Sequence, residues 1–325
     1  MSSLGIHSQT INWCKSYLSA RSFRVKVEDS LSASFPAPTG VPQGSCLSPL
    51  LYTIFISDIN KFLPENIRYL VYADDLKIYC PILSDSCHLL LQSAVDGVSR
   101  WCHENGMLLS PTKCVVLKYG FDHLEYHMNG STLPSADTTR DLGIHISPTL
   151  DFSSHIYQTI QSASIMIGTI FRCFSSKNVS FYKHLYKSLV LSKFLYCSPV
   201  WLPYLKKHII FLNRVHKKFI RRLRWRCGLP KSYNLSDIPN VYDSMAAQDV
   251  RTLPVLHRAN LLSHFFYVSP NNLRSKCTAR PKVLAHTEKI RNMFSWRVAK
   301  RLCDRDCPES NLDLLTLCVN TPLSI

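Results

Sequence analysis

Two adjacent acids, Asp74 and Asp75, sit inside the run Tyr69-Leu-Val-Tyr-Ala-Asp-Asp-Leu-Lys-Ile-Tyr79. The flanks are β-branched and aromatic, which favours strand, and acids are tolerated between strands only at a turn. The run therefore predicts a hairpin, Arg68–Tyr72 and Leu76–Tyr79, with the carboxylates at its tip. If that turn is buried, each desolvated carboxylate needs a partner, and a divalent cation with oxygen preference is the natural one. A solvated Asp-Asp turn is the competing reading at this point.

A second segment narrows the choice. Residues 40–51 read Gly-Val-Pro-Gln-Gly-Ser-Cys-Leu-Ser-Pro-Leu-Leu and run into Tyr52-Thr-Ile-Phe-Ile-Ser-Asp-Ile59. Glycine and proline build a loop, Ser45 or Ser48 is placed to cap a helix, and Pro49 suits its first turn. The two segments together resemble the palm of reverse transcriptases, and most closely those of non-LTR (LINE-type) retrotransposons of the jockey and CR1-like groups. The likeness extends to Trp101-Cys…Asn105-Gly-Met-Leu-Leu-Ser-Pro-Thr-Lys113, to Arg140-Asp-Leu-Gly-Ile-His-Ile146 and, weakly, to Ser198-Pro-Val-Trp-Leu-Pro203.

The resemblance implies an α+β fold: a partial polymerase palm (antiparallel sheet with helices on one face) over 1–150, then a basic all-α thumb-like bundle over 151–236. Residues 237–325 carry no recognised motif. It implies RNA-directed DNA polymerase chemistry with Mg²⁺ (or Mn²⁺), on an RNA template, a DNA primer and deoxynucleotides. Asp74 is then a metal ligand with Asp75 beside it. Tyr72 and Ala73 line the primer end, Gln43 and Gly44 approach the template base and incoming nucleotide, Lys113 sits near the leaving phosphates, and Leu142 with Gly143 supports the primer. Asp58 falls outside the catalytic match and reads as a structural residue at a helix end. The family's upstream metal-binding Asp has no counterpart before Glu28 and Asp29. The expectation is thus a C-terminal fragment, inactive alone, or a nucleic-acid-binding remnant without catalysis.

Charge supplies an independent line of argument. The chain of 325 residues carries a formal net charge of +16. From Phe152 to Ser236 there is no Asp or Glu, yet there are 15 Lys and Arg, so nearly the whole excess belongs to that stretch. Solvated helices usually mix both signs; a one-signed segment favours a polyanion. Lys206, Lys207, Arg214, Lys217, Lys218, Arg221, Arg222 and Arg224 are the candidate phosphate contacts. Trp201 and Trp225 could stack on bases, but core packing is the better expectation for both.

Periodicity predicts helices here. Ile156, Ile160, Ala163, Ile167, Ile170 and Phe174 form one stripe, with Asp151 or Ser153 starting it. Phe181, Leu185, Leu189 and Tyr196 suggest a second helix, ended near Pro199. Ile209, Leu212, Val215, Phe219 and Leu223 suggest a third, ended by Gly228 and Pro230. In the first part, Arg21–Val27, Cys114–Tyr119 and Leu142–Ile146 read as strands. Leu50–Asn60 and Cys87–Trp101 read as helices, the latter with Leu89, Leu90, Ala94, Val98 and Trp101 inward. Ile290–Leu302 reads as helical.

No apolar stretch is long enough to span a bilayer and no signal peptide is visible, which points to an intracellular protein, nuclear or cytoplasmic, not secreted. The 13 cysteines are odd in number and scattered, and read as reduced thiols. Cys303, Cys307 and Cys318 lack the paired spacing of a zinc site.

Overall fold

The computed structural model describes residues 1–82, 84–119, 124–259 and 261, with backbone strands at Phe266–Val268 and Ala279–Pro281. The region 290–302 and the cysteines beyond it lie outside the described residues. The chain divides into two units, Met1–Asp137 and Thr138–Ile325.

The first unit mixes helices with small antiparallel pairs. Helix α1 (Ser8–Leu18) precedes four two-residue strands, β1 (Ser22–Phe23), β2 (Lys26–Val27), β3 (Ser30–Leu31) and β4 (Phe35–Pro36), paired β1 with β4 and β2 with β3. The expected strand Arg21–Val27 is thus split in two. Helix α2 (Ser48–Ile56) tightens into a 3₁₀ segment, Ser57–Phe62. Strands β5 (Arg68–Tyr72) and β6 (Asp75–Tyr79) form the expected hairpin. Helix α3 (Asp85–Glu104) follows, then a 3₁₀ turn Pro111–Lys113 and the hairpin β7 (His127–Met128) with β8 (Ser131–Thr132). Cys114–Tyr119 is not a strand: only Val116 bridges, in parallel, to Ser135.

All described strands pair two by two, so the expected continuous sheet does not form among them. Strands of two or three residues cannot extend a ladder, and a lone hairpin gains stability only by packing on something else. The packing partner is α3. Its buried Val98, Trp101 and Cys102 meet Ile56 and Ile59, with Leu76 and Ile78 of β6 against the same cluster. Leu89, expected inward, is 74% exposed. The Trp101 indole donates to the Asp58 carboxylate at 2.8 Å, the structural role expected of that acid.

Closeness of α3 to the 3₁₀ segment requires glycine. A Cβ on Gly97 would lie 2.0 Å from the Phe62 carbonyl oxygen, a backbone atom that cannot swing aside. Gly97→Ala is expected to lower stability by about 1–3 kcal/mol through overpacking, despite alanine's better helix propensity. Denaturant unfolding measures this, and a gain in stability would contradict the packing.

The second unit opens on β9 (Thr139–Asp141) and β10 (Ile144–Ile146), then turns helical: α4 (Ser153–Cys173), α5 (Val179–Leu185), a π-helical segment Tyr186–Leu191, α6 (Ser192–Leu195), α7 (Ser198–Trp201), α8 (Lys206–Cys227), α9 (Val241–Arg251) and α10 (Leu253–Arg258). The strands at 266–268 (β11) and 279–281 (β12) pair antiparallel. One core joins Ile144, the α4 stripe Ile156, Ala163, Ile167 and Ile170, the α8 stripe Leu212, Val215, Phe219 and Leu223, and Val241 and Met245 of α9. Asp151 Oδ1 accepts the Ser153 N–H at 2.9 Å and so closes the start of α4. Gly228, at φ 64, ends α8, with the Leu229 N–H on the Arg224 carbonyl.

The middle helix departs from expectation. The buried positions are Tyr182, Tyr186, Val190 and Phe194, one residue out of phase with the stripe read from Phe181, Leu185 and Leu189. Both tyrosine hydroxyls find carbonyls, Tyr182 on Phe174 and Tyr186 on Pro239, so their rings can be buried. The helix breaks before Tyr196, Cys197 is left-handed at φ 49, and Pro199 begins α7 instead of ending the helix before it.

Burial holds His155 neutral, lowering its pKa from 6.5 to about 4, with His145 adding to the effect. Burial lowers His208 and His216 as well. Between pH 6.5 and 4 the unfolded chain takes up protons that the folded chain refuses, so stability present above pH 6.5 is lost as pH falls. The melting temperature should drop across that window, and His155→Gln should flatten the drop; an unaltered slope would contradict this assignment.

Candidate active-site hairpin and nucleic-acid interface

The β5–β6 hairpin closes on the pair Tyr72↔Asp75, leaving a two-residue turn, Ala73-Asp74. Ala73 is left-handed, at φ 52. A side chain there costs about 1 kcal/mol relative to the ordinary helical region, and such strain clusters where geometry matters. Asp74 and Asp75 are exposed, as are all five residues of β5; Tyr72 is 66% exposed and Leu70 57%. The turn is therefore not buried, and the cost of desolvating two carboxylates does not arise within this unit.

The Pro-Gln-Gly loop is anchored from two sides. The Tyr17 hydroxyl donates to Ser45 Oγ at 2.7 Å, and Arg21 Nη2 bonds the Thr39 and Gly40 carbonyls at 3.0 and 2.5 Å. Neither serine caps α2 through its side chain: Ser48 Oγ turns back to the Pro42 carbonyl, and Ser45 Oγ takes the Leu47 N–H. Gly44 holds φ 78, and the space its missing Cβ leaves is open, so Gln43 and Gly44 both face solvent.

Tyr52 on α2 links this segment to the hairpin. Its phenol is pushed above the ordinary value, first by burial and then by the Asp74 carboxylate. Lys113 is exposed at the end of its 3₁₀ turn. Among the described residues no ion pair joins it to either aspartate, and no group of three or more His, Cys, Asp or Glu gathers to hold a metal. The donor set fits Mg²⁺ or Mn²⁺ in kind, as hard carboxylate oxygens, but offers only the adjacent pair Asp74 and Asp75.

Leu142 and Gly143 form the turn of β9–β10 in the second unit, both left-handed at φ 43 and 87. The Tyr196 hydroxyl donates to the Leu142 carbonyl at 2.8 Å, and the Tyr196 ring lies 3.5 Å from where a Gly143 Cβ would stand.

Helix α8 sorts the candidate cations. Lys206, Lys207, Arg214, Lys217 and Arg221 are exposed. Lys207, Arg214, Lys217, Arg221 and Trp225 follow at steps of three, four and seven, so they share one outward face about 27 Å long. Three others are engaged by the protein. Lys218 Nζ lies 3.5 Å from the Ser164 carbonyl, and burial followed by Arg222 and Arg221 depresses its pKa. Arg222 lies against Gly168 of α4. Arg224 bonds the Pro230 and Tyr233 carbonyls. Arg226, not singled out from sequence, ties the Phe171 and Phe174 carbonyls at the end of α4. Trp201 is core, 1% exposed, with its indole on the Tyr196 carbonyl, but Trp225 is 81% exposed, against the core expectation.

A family model described as reverse transcriptase (RNA-dependent DNA polymerase) matches residues 1–146, a span holding the anchored loop, the Asp-Asp hairpin and the β9–β10 turn. Residues 1–146 are similar to reverse transcriptases. The chain is similar to the RNA-directed DNA polymerase from mobile element jockey of Drosophila melanogaster, 26% identical over 226 residues, covering 64% of this chain and 24% of that protein. It is also similar to the probable RNA-directed DNA polymerase from transposon BS of the same species, 29% identical over 157 residues, covering 45% and 17%. The likeness to the jockey polymerase thus reaches past residues 1–146 into the helices of the second unit. The match spans about a quarter or less of these relatives' own length. No solved structure matches the chain.

Coupling between Asp74 and Tyr52 gives a direct check on the geometry of the hairpin against α2. Asp74→Asn should bring the Tyr52 phenol part of the way back toward its ordinary pKa, while burial keeps it raised. Carbon-13 NMR of labelled tyrosine reads this; an unmoved Tyr52 would place the carboxylate elsewhere.

Proposed function

We propose that this chain acts on template–primer nucleic acid as part of an intracellular non-LTR retrotransposon RNA-directed DNA polymerase. Residues 1–150 serve as palm, 151–236 as thumb, and the RNA template, DNA primer and deoxynucleotides are its partners. The observation that carries this reading is the outward cationic face of α8, in a stretch without acids, on a chain whose first part matches reverse transcriptases. Lys206 and Lys207 stand at the start of α8, where a helix dipole disfavours cations, and its first turn has no acid. A bound phosphate backbone offsets both the dipole and the mutual repulsion along the helix.

In the palm, Asp74 with Asp75 beside it would hold Mg²⁺, which when bound neutralises charge on phosphoryl oxygens. Gln43 and Gly44, held by the Tyr17 and Arg21 contacts, orient the nucleotide. Lys113 supplies a cation or proton, and the Leu142-Gly143 turn, held by Tyr196, supports the primer. Two adjacent carboxylates on one hairpin are too few for tight binding of the ion without substrate phosphates. Binding without catalysis by residues 1–325 alone is favoured by that donor count. No helix among the described residues is long and apolar enough to cross a membrane.

Affinity for an RNA–DNA duplex should fall steeply with salt, by about 0.9 log unit per log unit of salt for each phosphate neutralised. Replacing Lys207, Arg214, Lys217 and Arg221 with Ala should weaken binding and flatten that slope by up to about 3.6 units. An unchanged slope sinks the assignment. In primer extension with Mg²⁺ or Mn²⁺, residues 1–325 alone should give no product above Asp74→Ala; robust Asp74-dependent extension would overturn the donor-count argument.

A further inference from the structure

Phosphate contact does not account for Trp225. Its indole stands on the last turn of α8, in line with Lys217 and Arg221, and is 81% exposed. The inward positions of that end are filled by Phe219 and Leu223, so the core has no place for it. Two grooves meet at this ring. One, of about 700 Å³, is lined by Lys217, Ile220, Arg221, Leu229 and Lys231 among others. The second, of about 470 Å³, is lined by Gly168, Phe171, Arg172, Arg222 and Arg226. Trp225 belongs to both, so a flat aromatic wall separates two cation-lined channels. The Arg226 guanidinium lies 5.9 Å from the ring centre and steadies the indole from one side, while its own donors are tied to the end of α4.

We propose that Trp225 stacks on an unpaired nucleobase, with the phosphates on either side of that nucleotide lying in the two grooves. The C-terminal end of α8 then takes single-stranded nucleic acid, such as the strand leading into or out of a duplex. This rests on the reading of α8 as a nucleic-acid interface and adds to it a preference for strand state. A base within a duplex already has both faces covered by its neighbours, whereas an unpaired base offers a π-face to any aromatic, with little regard to sequence. Beside Ile220, Leu229 and Phe171, seven Lys and Arg side chains line the two grooves, in a stretch of 85 residues without an acid, and that one-signed charge favours a polyanion over an apolar peptide.

The test uses the full chain and two probes at one salt concentration, a labelled oligouridylate and a blunt RNA–DNA duplex of equal length. Trp225→Ala should weaken oligouridylate binding about five- to a hundredfold, leave its salt slope unchanged and leave duplex binding nearly intact. Trp225→Phe should keep most of the affinity, since a ring remains. The exposure of the side chain makes unfolding of these variants unexpected, and an unshifted melting temperature verifies that. Arg214→Ala with Arg221→Ala should weaken both probes and flatten both slopes. If that pair behaves so and Trp225→Ala changes neither probe, or changes both equally, stacking is overturned while the interface stands. If the pair changes nothing, the interface reading fails as well.

Discussion

The apolar seam between α4 and α8 is the constraint on which the second unit depends. Ala163, Ile167 and Ile170 on one side meet Val215, Phe219 and Leu223 on the other, and each is almost fully buried. A seam of this kind fixes the rotation of α8 about its axis. With four apolar positions turned inward, every cation of Lys-Lys-His-Ile-Ile-Phe-Leu-Asn-Arg-Val-His-Lys-Lys-Phe-Ile-Arg-Arg-Leu-Arg-Trp-Arg has only the flanks and the outer face left. The flanking cations end on carbonyls of neighbouring segments, as Lys218 on Ser164, Arg224 on Pro230 and Arg226 on Phe171. On the outer face Lys207 has the Asp151 carboxylate near it and Arg214 lies over the Phe211 ring, contacts that leave the charges of Lys217 and Arg221 for an outside ligand to balance. Packing thus decides which charges act in structure and which are free for binding.

The first unit presents the opposite economy. Its hairpin is held by one face of β6 against α3, while β5 stays exposed along its length. An exposed edge of Tyr, Leu and Val is a liability in isolation, because it offers unpaired backbone groups to any passing strand. The turn itself is strained at Ala73, and the exposed carboxylates of Asp74 and Asp75 stand at and beside it. An exposed apolar strand beside a carboxylate-bearing turn is a surface suited to a ligand that covers both.

Much of this was legible in sequence, and the failures have definite causes. The hairpin from Arg68 to Tyr79, the stripes of α4 and α8 and the glycine stop at Gly228 follow from period and turn chemistry, which are local. The phase of the helix around Tyr182 was not legible. Its buried face depends on hydroxyls reaching the carbonyls of Phe174 and of Pro239, the latter far along the chain, and a π-helical segment shifts the period. The exposure of β5 is not legible either, because its Tyr, Leu and Val side chains carry no local sign of which face meets a neighbour. Trp225 misled in the same way, since tryptophan is buried on average and only the prior claim of Phe219 and Leu223 on the core turns it outward. The sorting of cations on α8 likewise depends on carbonyls supplied by other elements.

The claim at the centre of this account is that the outer face of α8 lies on a phosphate backbone. Lysine acetylation footprinting of the full chain, free and bound to an RNA–DNA duplex, tests it most directly. Bound duplex should protect Lys207 and Lys217 strongly, alter half-buried Lys218 little, and leave Lys15 on α1 reactive. Equal reactivity of Lys207 and Lys217 with and without saturating duplex would contradict the account.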